Sequence, residues 1–317
     1  MTKSPLPFTR GAREVGRAAM PAHTSKFSRK DFTQHQHVAI LALKTFLKTD
    51  YRGIVDCLRD GSDLRDALGL RKVPHFTTLQ KVHARLKKRE LDALIRASVT
   101  APTPQRADEP PAPGAPAPRP APAPRARAAV DATRYDARPV SRYFVVVCGR
   151  PTRQKHWPKL TAVVDVRTHR FPAASVIRGP RQDAPPLLPV VRQAVKHTAI
   201  DTLLGDAGFD SEGNHATCRE RLGIRSTVIA LNGHGSRKWP VAKYRRQMVA
   251  RFRKKPRRSR SKRVYGQRAQ IESAFSRNKR RLGAAIGSVK WANQKTEVLF
   301  KVLAHNIMLL APPRVST

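Results

Sequence analysis

Apolar residues follow two different rhythms along this chain, and the change between them divides it. Over residues 30–97 the rhythm is helical. Val38, Leu41 and Leu43 lie in one apolar-rich segment, followed by Phe46 and Leu47. A short helix is predicted over 51–58. Thr77, just after Pro74, is the expected N-cap of a further helix in which Leu79, Val82 and Leu86 recur at helical spacing. His35-Gln36-His37 is read as the exposed start of a helix, since no Cys/His cluster with metal spacing surrounds it.

After residue 127 β-branched runs alternate with helical stretches. Strands are predicted at 128–133, 144–148, 160–166, 173–177, 202–204 and 226–231. The third and fourth form a pair joined by a turn at 167–170. Helices are predicted over 183–197, 211–222, 265–282 and 294–310. The order of these elements implies an α/β fold, a mixed sheet flanked by helices.

Composition sharpens the division. Residues 101–124 hold ten of the chain's 26 prolines, interleaved with alanine. Such a segment has nothing with which to build a core and extends as a linker. The expected organisation is a disordered basic tail (1–29), a helical domain (30–97), a Pro/Ala-rich linker (98–127) and a larger α/β domain (128–312). Within the last, residues 232–263 carry fourteen Lys/Arg and no acid.

Charge then narrows the partner. The chain has 63 Lys+Arg against 22 Asp+Glu, a formal net charge of +41. A field of that sign attracts polyanions and makes their binding salt-dependent, so nucleic acid is the expected partner. The helical domain is read as a DNA-binding module with Lys81 and Arg85 on its contact helix. The basic insertion reads either as a DNA clamp with aromatic support from Trp239 and Tyr244, using Arg245 and Arg246, or as a disordered polycationic loop. A membrane is not expected: the most apolar stretch, 298–311, contains Lys301, His305 and Asn306 and is too short to span a bilayer. Cys57, Cys148 and Cys218 lie far apart, which argues against a disulfide framework and fits a reducing cytosol.

In so basic a chain, acids that follow apolar runs need a reason. Asp131 ends Ala128-Ala129-Val130, and Asp206 ends Thr202-Leu203-Leu204-Gly205. Both stand where a strand gives way to a turn, the place at which open α/β sheets gather ligands. Glu272 is predicted on a helix where Tyr265, Arg268, Glu272 and Lys279 fall within about 60° of one face. Three carboxylates from two strand ends and a helix suit a pair of Mg²⁺ or Mn²⁺ ions, the apparatus of in-line phosphoryl transfer. Arg268 and Lys279 would contact phosphates, and Tyr265 a base or sugar. Asp136 and Asp165 stay open as substitutes for Asp131. Asp183 is read as a helix cap.

Three blocks carry a resemblance to a known family: Val130-Asp131-Ala132-Thr133; Leu204-Gly205-Asp206-Ala207-Gly208-Phe209-Asp210-Ser211; and Tyr265-x2-Arg268-x3-Glu272-x6-Lys279. The chain resembles bacterial insertion-sequence transposases of the DDE class over about residues 128–311. The resemblance implies an RNase H-like catalytic domain, with Asp131, Asp206 and Glu272 as the metal-binding triad and Tyr265, Arg268 and Lys279 as DNA-contacting residues. It implies strand cleavage and strand transfer on double-stranded DNA, at element ends and target. It also implies a homodimer on DNA and a cytoplasmic protein that is nucleoid-associated when bound. Two alternatives stay open: a related nuclease or junction enzyme without strand transfer, and a non-catalytic basic DNA-binding protein.

Overall fold

A proline in the first turn opens helix α1 (Pro5–Ala19), where its missing N–H costs nothing. Phe8, Ala12 and Val15 recur at helical spacing and are buried, and Phe8 stacks on Phe46 with ring centroids 4.3 Å apart. The expectation of a disordered tail over 1–29 is therefore corrected. Arg10, Arg13 and Arg17 crowd one side of a helix whose apolar side is packed. This structure, a computed structural model, describes residues 1–27, 29–100, 126–137, 156–180, 184–232, 240–253 and 260–310. The Pro/Ala linker core, the predicted strand at 144–148, Cys148, Asp183 and Trp239 lie outside the described residues.

Five more helices follow: α2 (Gln34–Leu47), α3 (Tyr51–Asp60), α4 (Ser62–Leu68), α5 (Phe76–Arg85) and α6 (Lys88–Thr100). A capping box of Thr33 and Gln36 starts α2, and the Asp50 carboxylate caps α3 by accepting from the N–H groups of Arg52 and Gly53. Two expectations shift here. The cap of α5 is His75, whose Nδ1 accepts from Thr77 N–H at 3.4 Å, because the helix begins one residue ahead of Thr77. His35 and His37 are half-buried rather than exposed; His35 Nε2 donates to the Met20 carbonyl at 2.7 Å.

The α/β part comprises β1 (Ala126–Arg134), β2 (Asp136–Ala137), β3 (Trp157–Asp165), β4 (Ala173–Gly179), α7 (Ala184–Val195), β5 (Ile200–Gly205), α8 (Glu212–Ala216), β6 (Ser226–Ile229), α9 (Lys243–Arg253), α10 (Arg260–Gly266), α11 (Ala269–Leu282), β7 (Ala285–Ile286) and α12 (Trp291–Leu310). Five strands form one sheet in the order β4-β3-β1-β5-β6. β3 runs antiparallel to β1 and β4, while β5 and β6 run parallel to β1. β2 and β7 pair in a separate two-stranded ribbon. The fold is α/β, a mixed RNase H-like sheet flanked by helices.

Period-two alternation sends successive β1 residues to opposite faces. Ala128 and Val130 pack with Leu187, Val190 and Val191 of α7. Ala129 faces the other side, where Ile271 and Phe275 of α11 and Phe300 of α12 pack. The same hydrophobic cluster takes in Leu41, Ile54 and Leu94 of the helical region, so α12 joins the helices to the sheet through a shared core. Two buried polar side chains of α12 serve the backbone. Asn306 accepts from Phe171 N–H and donates to the Phe171 carbonyl, and Lys301 Nζ donates to the carbonyls of Leu282, Gly283 and Ala285.

Candidate active site

Strand register brings the first two acids together. Val130 on β1 pairs with Gly205 on parallel β5, so the next residues, Asp131 and Asp206, emerge side by side. Gly205 leaves room for the side chains that flank it: an added Cβ would stand 3.2 Å from Ile229 Cγ1 and 3.4 Å from Val130 Cγ1. Each aspartate uses one oxygen on the following N–H. Asp131 Oδ1 accepts from Ala132 at 2.7 Å, and Asp206 Oδ1 from Ala207 at 2.8 Å, capping the 3₁₀ turn Ala207–Phe209.

Glu272 enters from the first turn of α11. Arg268 Nη2 lies 2.6 Å from Glu272 Oε1, and Nη1 lies 3.5 Å from Asp131 Oδ2. One guanidinium thus bridges a carboxylate from the sheet and a carboxylate from the helix. Burial pushes the Asp131 carboxyl up from its usual range, the nearby charges of Asp206 and Glu272 add to this, and the Ala132 N–H and Arg268 oppose it. The Tyr265 phenol is also pushed up by burial, with Asp206 and Glu272 contributing. Asp131, Asp206, Glu272, Tyr265 and Arg268 form one electrostatic neighbourhood.

The structure corrects how these residues are presented. The predicted helix over 265–282 is two helices, α10 and α11, joined by a tight turn in which Gln267, Arg268, Gln270 and Ile271 donate to carbonyls three residues back. Tyr265 and Arg268 therefore reach Glu272 from before its helix rather than from the same face of it. Lys279 belongs elsewhere: its Nζ lies 5.5 Å from the centre of the buried Tyr135 ring, and Asp136 is the opposite charge it feels. Asp136 itself pairs with Arg134 at 3.2 Å, and Asp165 accepts from the N–H groups of Arg167 and Thr168 in the β3–β4 turn. Both substitutes for Asp131 are thereby engaged away from Asp206.

The remaining candidates divide. Lys81 and Arg85 on α5 and Arg246 on α9 are exposed. Arg245 is not a free cation: Nη2 lies 2.9 Å from Asp210 Oδ2. Tyr244 is buried, its hydroxyl donating to Glu220 at 2.6 Å, so it offers no stacking face. Sequence reasoning did not single out Asp210, Glu212 or His215. A signal was present, since Asp206-x3-Asp210-x-Glu212 concentrates three of the chain's 22 acids in seven residues.

An all-oxygen donor set suits a hard divalent cation, and the Arg268 guanidinium between two of the carboxylates marks a position that accepts positive charge. Among the described residues, no three His, Cys, Asp or Glu side chains are gathered tightly enough to hold a metal ion. The carboxylates feel one another without closing into a ligand shell.

A family model described as a transposase DDE domain matches residues 123–307, more than half of the chain. The chain belongs to the DDE transposase family. No curated protein and no solved structure matches it. The matched span of this transposase runs from just before β1 into α12, and so takes in Asp131, Asp206 and Glu272. Transposition, DNA recombination and DNA binding come with the family. Among the described residues, no helix is long and apolar enough to cross a membrane.

Proposed function

We propose that this transposase cuts DNA at the ends of an insertion sequence and joins the freed 3′-hydroxyls to a target duplex, with Asp131, Asp206 and Glu272 as its catalytic carboxylates. The observation that carries the reading is the Val130–Gly205 register, which sets Asp131 beside Asp206, together with the Arg268 bridge from Asp131 to Glu272. The three carboxylates would hold two Mg²⁺ or Mn²⁺ ions, which supply an activated water or 3′-hydroxyl and charge stabilisation for the leaving oxygen.

The chain's own groups bind and orient the DNA. Arg268 exchanges carboxylate oxygens for a phosphate, a ligand its planar fork fits equally well. Tyr265, half-buried beside it, stacks on the sugar or base next to the cut. Lys279 sits seven residues beyond Glu272 and meets the backbone further along. Lys81, Arg85 and Arg246 contact phosphates outside the catalytic centre, in keeping with the net charge of +41. The working unit is a homodimer holding two element ends, nucleoid-associated in the cytoplasm.

Glu272→Gln tests the assignment. The variant is expected to bind an element-end duplex with unchanged affinity and to lose Mg²⁺-dependent nicking. Full nicking activity would overturn it, and a joining assay with pre-cut ends separates transfer from plain hydrolysis.

A further inference from the structure

Helix α9 lies in the basic block, yet its first turn is held by acids. Glu212 accepts from the N–H groups of Tyr244 and Arg245 through its two oxygens, both at 2.9 Å. The Arg245 guanidinium grips Asp210, with Nη2 2.9 Å and Nε 3.1 Å from Oδ2. The Asp210 side chain is fully buried and also accepts from Asn232 N–H, just past β6, at 3.0 Å. His215 Nε2 stands 3.6 Å from Asp210 Oδ1, and its Nδ1 is 2.7 Å from Thr227 Oγ1 on β6. Glu220 takes the Tyr244 hydroxyl. At the other end of α9, the Phe252 ring meets the Tyr265 ring edge-on at 5.1 Å.

Three of the 22 acids of a strongly cationic chain are thus spent on one helix, and two of them lie within six residues of Asp206. A buried ion pair adds little net stability once its desolvation is counted; what it fixes well is geometry. Eleven residues of helix span about 16 Å. That rod runs from the turn after Asp206 to the residue that stands beside Arg268.

We propose that α9 is a positioning brace: Asp210 and Glu212, gripping Arg245 and the start of the helix, lock the Asp206 turn to the Tyr265–Arg268 segment and so set the spacing between Asp206 and Glu272. Arg245 is then a positioning residue, and neither a DNA clamp nor part of a floating polycationic loop. The inference rests on the proposed catalytic role of Asp206 and Glu272.

The test uses Arg245→Ala, Arg245→Lys and Glu212→Gln in the full chain, with three readouts: hydrogen exchange across α9 and the 206–212 turn, affinity for an element-end duplex, and single-turnover cleavage of bound DNA against Mg²⁺ concentration. In Arg245→Ala, exchange rises in both segments and duplex affinity stays within about twofold. Cleavage of bound DNA falls by about 10- to 100-fold, with a higher half-saturating Mg²⁺ concentration, the usual scale for a residue that orients a metal-binding carboxylate. Arg245→Lys restores part of the rate.

Unchanged exchange overturns the brace. So does a tenfold loss of duplex affinity with normal cleavage once bound, which identifies a phosphate contact. So does raised exchange with normal cleavage and Mg²⁺ dependence, which identifies a merely structural tie. Should Arg245→Ala not fold, Glu212→Gln, which strips no partner from the buried Asp210 charge, is read the same way. Retained cleavage in Glu272→Gln would instead count against the catalytic reading, and the exchange measurement still decides the brace.

Discussion

Arg268 and Glu272 form an i,i+4 ion pair at 2.6 Å across the junction of a tight turn and a helix, and the same guanidinium reaches Asp131 at 3.5 Å. A cation between two carboxylates offsets their repulsion and competes for the same oxygens. Arg268→Gln removes both effects. Cleavage is expected to fall by about 100-fold through the lost charge stabilisation, while Mn²⁺ binding, measured by calorimetry without DNA, tightens. Weaker Mn²⁺ binding in this variant would mean that the arginine organises the carboxylates more than it competes for them.

Gly205, which pairs with Val130 just before the two aspartates, stands in a tightly packed place. A methyl group there would meet Ile229 Cγ1 at 3.2 Å, tighter than an ordinary contact, and Val130 Cγ1 at 3.4 Å, so the Ile229 side chain must give by a few tenths of an ångström. Gly205→Ala is expected to destabilise the fold by about 1 kcal/mol, the low end for overpacking, and to slow cleavage by displacing Asp206. Ile229→Val keeps both γ carbons and removes only Cδ1; added to Gly205→Ala, it gives that side chain room to shift away from the new methyl and should recover part of the melting temperature. No recovery in the double variant would place the strain elsewhere.

How much of this was legible in the sequence follows from the range of the forces involved. Strand alternation and apolar helix stripes are local, so β1, β3, β4, β5, α7 and α12 could be read from Val130, Leu160, Val176, Leu204, Val191 and Phe300 and their neighbours. Asp131 and Asp206 could be singled out because each follows such a run. Other features depend on contacts distant in sequence. Helix α1 folds because Phe8 finds Phe46, and Lys279 is drawn to Tyr135 and Asp136 by the docking of α11; the start of α5 is a local exception, missed because histidine is not among the usual capping residues. The break between α10 and α11 was hidden because Tyr265, Arg268 and Glu272 keep helical spacing through a tight turn that is nearly helical itself.

Lys301 illustrates a buried charge whose purpose no local pattern announces. Its Nζ donates to the carbonyls of Leu282, Gly283 and Ala285 at 3.0, 2.6 and 2.8 Å, closing the C-terminal end of the helix that carries Glu272. Burial lowers its pKa to about 8. Lys301→Met keeps the length of the side chain and leaves three carbonyls without this donor. At about 1–3 kcal/mol for an unsatisfied buried group, the loss is expected to reach about 3 kcal/mol, read from urea unfolding. A loss below about 1 kcal/mol would mean that water replaces the ammonium.

Two histidines set a pH limit on the packed core. His83 lies between Tyr51 and Phe300, and burial lowers its pKa to about 4. His305 is fully buried against Phe171, and burial lowers its pKa to about 3. Both folded values lie below the unfolded 6.5, so the unfolded chain binds the extra protons. Their contribution to stability is complete above pH 6.5 and is lost as the pH falls towards 4. Each histidine adds a slope of up to about 1.4 kcal/mol per pH unit in that window. His83→Phe keeps the ring contacts and removes one titration. Urea unfolding at pH 8, 7, 6 and 5 should show equal slopes for variant and parent between 8 and 7 and a shallower decline for the variant below 6.5. Parallel declines would mean that His83 opens to solvent at little cost before it takes up its proton.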